Sequence, residues 1–185
     1  MRYRLVLPVL VLLASVPAHA AQTWNWSYDG AGISASGTFT TGDTADANGF
    51  YEVTAVSGAR NGIAITGLQA THTAIPGNEP FMVDNLVRIA GPQLTVEGFG
   101  FALADGTYAN PFFANFLATP GYLEYYSAPP FLSGNVGQED SETSITFSAS
   151  LSQVSDVPEP AGYAMFSLGL AILARLRTRA RGTTA

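Results

Sequence analysis

Residues 32–41 read GISASGTFTT and residues 144–152 read SITFSASLS. In the first, Ile33, Ala35, Gly37 and Phe39 alternate with Ser34, Ser36, Thr38 and Thr40; in the second, Ile145, Phe147, Ala149 and Leu151 alternate with hydroxyl residues. A period of two puts one set of side chains in a core and the other in water, which is the geometry of a half-buried strand. Nothing else constrains the fold as strongly. Between residues 21 and 153 no helical period is sustained, and the apolar clusters there are rich in Gly, Ser and Thr, all poor helix formers.

Rougher alternations occupy residues 24–28, 50–57, 63–69, 86–89, 94–103 and 122–127. Between them lie Asp29-Gly30, Asn48-Gly49, Asn61-Gly62, Pro76-Gly77 and Asp105-Gly106, residues that tolerate the positive φ of tight turns. Asn61-Gly62, flanked by apolar alternation on both sides, is the strongest hairpin signal. Eight short strands separated in this way predict an all-β, antiparallel sandwich or barrel-like domain over residues 21–153. Residues 108–120, bracketed by Pro111 and Pro120, read as a long aromatic loop, and the polar stretch GNVGQEDSET at 134–143 reads as another.

The two ends have a different character. Arg2 and Arg4, an apolar run over residues 5–16 and the small-x-small pattern Ala18-His19-Ala20 follow the order of a secretory signal peptide, residues 1–20, cleaved to leave Ala21 first. The two arginines are not adjacent, so the general secretion machinery is the expected route. With the ends set aside, residues 21–157 hold two arginines, Arg60 and Arg88, against thirteen Asp and Glu, a net of −11. The chain has no Lys, and such an acidic body repels phosphate backbones, so nucleic acid is not an expected partner. The absence of Cys excludes thiol catalysis, zinc fingers and iron–sulfur clusters, and leaves burial alone to hold the domain together.

The inventory for chemistry is short. Once the leader is removed, the only histidine is His72, and no GxSxG elbow accompanies it, because Gly32-Ile33-Ser34-Ala35-Ser36 fails at its last position. His72 reads as a partly exposed polar residue at a strand end. The segment 44–49, TADANG, echoes a calcium loop but has Thr44 where the first Asp is required and Ala55 where the bidentate Glu should be. An Asx-rich turn is the expectation, with a loose calcium site near Asp43, Asp46 and Asn48 as the alternative; otherwise no metal or cofactor is expected. Glu97, Glu124 and the cluster Glu139, Asp140 and Glu142 could supply the carboxylate pair of a glycosidase only if the fold brought two of them together.

Aromatic residues are concentrated: Tyr108, Phe112, Phe113, Phe116, Tyr122, Tyr125, Tyr126 and Phe131 fall within 24 positions. Along 122–127, Tyr122, Glu124 and Tyr126 share one face while Leu123 and Tyr125 share the other. If Leu123 and Tyr125 face the core, Tyr122, Glu124 and Tyr126 form a solvent-facing stripe able to stack on sugar rings or dock a partner. The alternative is that the rings fill the core. The threonine pairs Thr38 with Thr40 and Thr71 with Thr73 lack the fixed repeat of an ice-binding array and read as strand surface.

The C-terminal stretch VPEPAGYAMFSLGLAILARLRTRAR spans residues 157–181. Its apolar run, 161–174, reaches roughly 21 Å as a helix against a hydrocarbon core of about 30 Å. Arg175, Arg177, Arg179 and Arg181 can snorkel to the cytoplasmic interface, giving a short transmembrane helix at 161–176 and a basic cytoplasmic tail at 177–185. Pro158 and Pro160 hold Val157 and Glu159 extended in the linker, residues 154–160, outside the membrane.

Tripeptide, short helix and arginine-rich end, in this order, resemble the PEP-CTERM sorting signal of Gram-negative bacteria, which is sometimes labelled an ice-binding protein C-terminal domain. The resemblance covers about residues 156–181. It implies recognition of Pro158, Glu159 and Pro160 by an exosortase, transient tethering in the inner membrane and release or transfer beyond it, usually in bacteria that make exopolysaccharide. The run FYEVTAVSGARNGIAITGL, residues 50–68, is also similar to domains attached to such signals, which have no established activity. The expectation is therefore an exported, non-enzymatic surface or extracellular protein associated with exopolysaccharide or biofilm matrix. The alternatives are a carbohydrate-binding or calcium-assisted adhesion module and, further off, an exopolysaccharide hydrolase.

Overall fold

A computed structural model of the chain describes residues 21–131 and 141–152, together with the single position Gly169. The expected signal peptide, the Pro-Glu-Pro segment with its helix and basic tail, and the acidic pair Glu139 and Asp140 lie outside the described residues. The chain divides into two units, Met1–Ser152 and Gln153–Ala185. Among the described residues no helix is long and apolar enough to cross a membrane.

The described residues of the first unit form nine strands: β1 (Gln22–Gly30), β2 (Ile33–Thr41), β3 (Phe50–Arg60), β4 (Ile63–Leu68), β5 (Leu86–Arg88), β6 (Phe101–Leu103), β7 (Tyr108–Ala114), β8 (Gly121–Ser127) and β9 (Ser141–Leu151). All pairings are antiparallel, in the order β2-β1-β9-β8-β7-β6-β4-β3, and β3 pairs back onto β2. Eight strands thus close into a barrel, the second of the two architectures expected from the strand pattern. β5 is an appendage, joined to the start of β3 through Phe50, Tyr51 and Glu52. Closure pairs each barrel strand with a neighbour on both sides, although the β3–β4 and β6–β7 ladders are only two residue pairs long.

The alternation read from the sequence decides what fills the barrel. Trp24, Trp26 and Tyr28 of β1, Ala35 and Phe39 of β2, Phe101 and Leu103 of β6, and Ile145, Phe147 and Ala149 of β9 point inward and are buried in one cluster. Trp26 is its centre, stacked on Tyr28 and Phe39 at 5.8 and 5.4 Å and edge-on to Phe99 at 5.6 Å. Eight strands give an interior that side chains can just fill, and aromatic rings fill it here.

Where β2 crosses β3, Gly37 sits opposite Gly58. A Cβ on Gly37 would lie 1.8 Å from the Ser57 carbonyl oxygen, and Gly58 has φ +138° with its own Cβ position 2.1 Å from the Ser36 oxygen. The paired glycines let the two backbones approach at a corner of the barrel. Asn61-Gly62 makes the expected hairpin, with φ of 48° and 81° and Arg60 paired to Ile63. The Asn61 side chain also ties this turn to its neighbour, accepting from Ser34 N and donating to Gly32 O. The first hairpin turns at Ala31 and Gly32 rather than at Asp29-Gly30, which remain in β1.

Two expectations fail. Residues 94–103 form a strand only over Phe101–Leu103, and the region read as a loop at 108–120 contains β7, Tyr108–Ala114. Both faces of β7 are covered, so no alternation was there to be seen, and Pro111 argues against a central strand. Its missing donor costs nothing in the β7–β8 ladder. In an extended strand the N–H and C=O of one residue point the same way, and the Pro111 carbonyl accepts from Phe99 N, outside any regular strand.

Residues 69–100 leave the barrel, add β5 and return as β6. Two amides fasten this excursion. Asn85, fully buried, donates to Gln69 O and Thr71 Oγ1 and accepts from Gly100 N. Gln93 acts as a substitute strand: beyond the reach of β8, its side chain donates to Ala149 O at 2.6 Å and accepts from Ala149 N at 2.8 Å.

Candidate functional site

Of the two alternatives for β8, the structure takes the one in which the rings fill the core, and the outward stripe of Tyr122, Glu124 and Tyr126 is absent. Tyr122 and Tyr126 pack against the interior cluster, and Glu124 between them is fully buried inside the barrel. Leu123 and Tyr125 do not face the main core; they belong to a second cluster on the outer surface with Ile75, Phe112 and Ala114. Both faces of β8 are covered, the inner one by the barrel core and the outer one in part by the 69–100 excursion. The choice between two faces in the sequence assumed that one of them met water.

Glu124 is held by three bonds. Arg60, the last residue of β3, donates from Nε to Oε1 at 2.7 Å and from Nη2 to Oε2 at 2.8 Å, and the Tyr28 hydroxyl donates to Oε1 at 2.5 Å. The guanidinium also lies 4.2 Å over the Tyr126 ring. Burial, then the Glu124 charge, pushes the Tyr28 hydroxyl well above its ordinary range. For Arg60, burial pulls downward, yet the bond to Glu124 and its charge outweigh it and the net shift is upward. A bidentate ion pair of this kind neutralises both charges where neither could stand alone. Glu124 is an anchor inside the barrel wall and presents no carboxylate to an outside ligand.

An open concavity lies elsewhere. A groove of about 660 Å³ runs over the outer face of β7 and β8, between the turn at 77–82, Val96 and Glu97, and Phe116. Seven large apolar side chains are exposed among the described residues, and four of them line this groove: Phe81, Met82, Val96 and Phe116. Phe112 and Tyr125 form its floor, and Glu79, Glu97 and Glu142 stand along it with Asn78 and Asn110. Asn110 is nearly buried and fixed, donating to Glu97 O and Phe99 O, and the Tyr125 hydroxyl donates to Gly77 O. Neither Lys, Arg nor His is among the described lining residues.

Of the candidates named from sequence, Glu97 and Glu142 come to this groove, as do Phe112, Phe116 and Tyr125, while Tyr122, Glu124 and Tyr126 do not. The contributors Phe81, Met82 and Val96 were not singled out, although two large apolar residues directly after Pro80 in a turn-rich stretch were the available signal. His72 is an exposed turn residue at φ 62°. Asp46 spends Oδ1 on the backbone N–H groups of Asn48 and Phe50, an Asx turn, and Thr44 donates to Asp43. The threonines serve their surroundings: Thr38 bonds Ser57, Thr71 accepts from Asn85 and Thr73 donates to Ala70 O. In comparisons with known proteins, no family model, no curated protein and no solved structure matches this chain.

Proposed function

We propose that this chain is a non-enzymatic β-barrel module exported across the inner membrane, tethered there briefly through residues 161–176, and sorted to the cell surface or beyond through a PEP-CTERM signal at Val157, Pro158, Glu159 and Pro160. The observation that carries the proposal is the order of elements in the sequence: cleavable leader, acidic body, extended Pro-Glu-Pro, short apolar run and four arginines. The arginines set the C-terminus in the cytoplasm and the barrel outside. A barrel closed on itself suits such a cargo, because it holds together without a disulfide. Support for a non-enzymatic role comes from Glu124, whose carboxylate is tied to Arg60 and Tyr28 rather than poised over a substrate.

Within this reading the barrel associates with exopolysaccharide, and the aromatic groove is the feature that favours it. Glu159→Ala tests the sorting step. The variant should accumulate in the membrane fraction while the wild type leaves it, and equal release of both sinks recognition by an exosortase.

A further inference from the structure

We infer that the outer groove binds a neutral glycan chain, with Phe81 and Phe116 stacking on sugar rings and Glu79, Glu97 and Glu142 accepting from their hydroxyls. The inference rests on the proposed delivery to a polysaccharide-rich surface, and its geometry is independent of that delivery. Phe81 and Phe116 are 69% and 64% exposed, an expensive placement for two rings that belong to the same concavity. Ring faces of this kind match the apolar C–H faces of pyranoses, and the volume lies within the range of small-ligand sites.

The polar groups choose among ligands. Three carboxylates, with no cationic side chain among the described lining residues, accept hydroxyl donors and repel phosphate, sulfate or uronate; Glu79 also accepts from Gly77 N through one of its oxygens. The body charge of −11 over residues 21–157 adds long-range repulsion of anionic polymers. An extended peptide is disfavoured by the barrel itself. β8 pairs with β7 and β9, and beyond Ala109 the other edge of β7 is taken by loop backbone, with Pro111 O accepting from Phe99 N and Phe113 N donating to Thr95 O, so strand addition finds these groups already bonded. Sugar hydroxyls make no such demand. The floor is already fixed, since Asn110 and Tyr125 are bonded to backbone carbonyls, and a preformed floor reduces the ordering cost of binding.

The test uses the full-length chain in lipid nanodiscs, titrated calorimetrically with neutral glucose, mannose, galactose and xylose hexasaccharides. An oligogalacturonate and a Leu/Arg-repeat peptide serve as contrasts. At least one neutral hexasaccharide should bind, and Phe81→Ala and Phe116→Ala should each weaken it by about tenfold, the scale of one aromatic contact, with no change in melting temperature. Glu97→Gln should weaken it by less, and the galacturonate should fail to compete. Absence of binding by all four neutral probes, binding indifferent to both Phe substitutions, or preference for the galacturonate or the peptide overturns the inference. Delivery is read separately from C-terminal processing, so either reading can fail while the other stands.

Discussion

Replacing Glu124 by Gln keeps the side-chain volume and removes the charge, so Arg60 remains in the barrel wall without a counter-ion. In the wild type the guanidinium bonds both carboxylate oxygens, at 2.7 and 2.8 Å, and Tyr28 supplies a third bond at 2.5 Å, with the Glu124 side chain wholly inaccessible. Removing one partner of a buried pair costs about 3–5 kcal/mol. Total stabilities are about 5–15 kcal/mol, so Glu124→Gln should cost a large fraction of the whole. Tyr28→Phe, which deletes one bond to a charged acceptor, should cost about 1.5–3 kcal/mol. The double change Arg60→Met with Glu124→Leu removes both charges and refills the space with apolar atoms, and should lie within about 1 kcal/mol of wild type or above it. Urea unfolding followed through Trp24 and Trp26 fluorescence reads these variants, together with the singles Arg60→Met and Glu124→Leu, against the wild type. A Glu124→Gln loss of less than about 0.5 kcal/mol, or a double variant as unstable as the sum of its singles, would refute the reasoning.

Three further outcomes follow from other parts of the fold. Gly58→Ala should cost about 3 kcal/mol or more, because its Cβ meets the Ser36 oxygen at 2.1 Å and its φ is +138°, whereas Gly62→Ala, in open space at φ +81°, should cost about 1 kcal/mol; thermal denaturation separates them. Gln93→Leu strands the N–H and C=O of Ala149 and should destabilise by about 2–4 kcal/mol in the same assay, with Gln93→Glu recovering only the bond to Ala149 N. Asp84 is raised from its ordinary 3.8 to about 6, by burial first and by the charge of Glu97, against the opposing bonds from Thr95 and Leu86. Its folded value lies above its unfolded one, so its contribution is fully present below about pH 4 and is lost as pH rises through about 6. Asp84→Asn should therefore gain stability relative to wild type across that window in pH-dependent urea unfolding, and a difference that stays flat contradicts the burial argument.

The strands that could be read from sequence are those with one wet face. β2 and β9 alternate because Ser and Thr face solvent opposite Phe39 and Phe147, and Asn61-Gly62 marks its turn because few other residues accept two successive positive φ values. β7 and β8 were harder. Each is covered on both sides, so β7 shows no alternation, and β8 shows it without revealing that Tyr122, Glu124 and Tyr126 point inward. Whether the sheet closed depended on β2 meeting β3 and β4 meeting β6, and the latter pairing contains a register shift between Ile65 and Gly67 that no local pattern announces. The groove lay beyond local reading because Phe81 and Val96 come from the excursion and meet Phe112 and Phe116 only after the barrel has formed. Arg60 and Glu124, 64 positions apart, become partners by the same route.

The mass of the exported protein tests the sorting reading most directly. Intact-mass spectrometry of material released by the producing cells should show a chain that begins at Ala21 and has lost the apolar run and the arginines beyond Pro158-Glu159-Pro160. Recovery of the same protein outside the membrane with Arg175, Arg177, Arg179 and Arg181 still attached would contradict it.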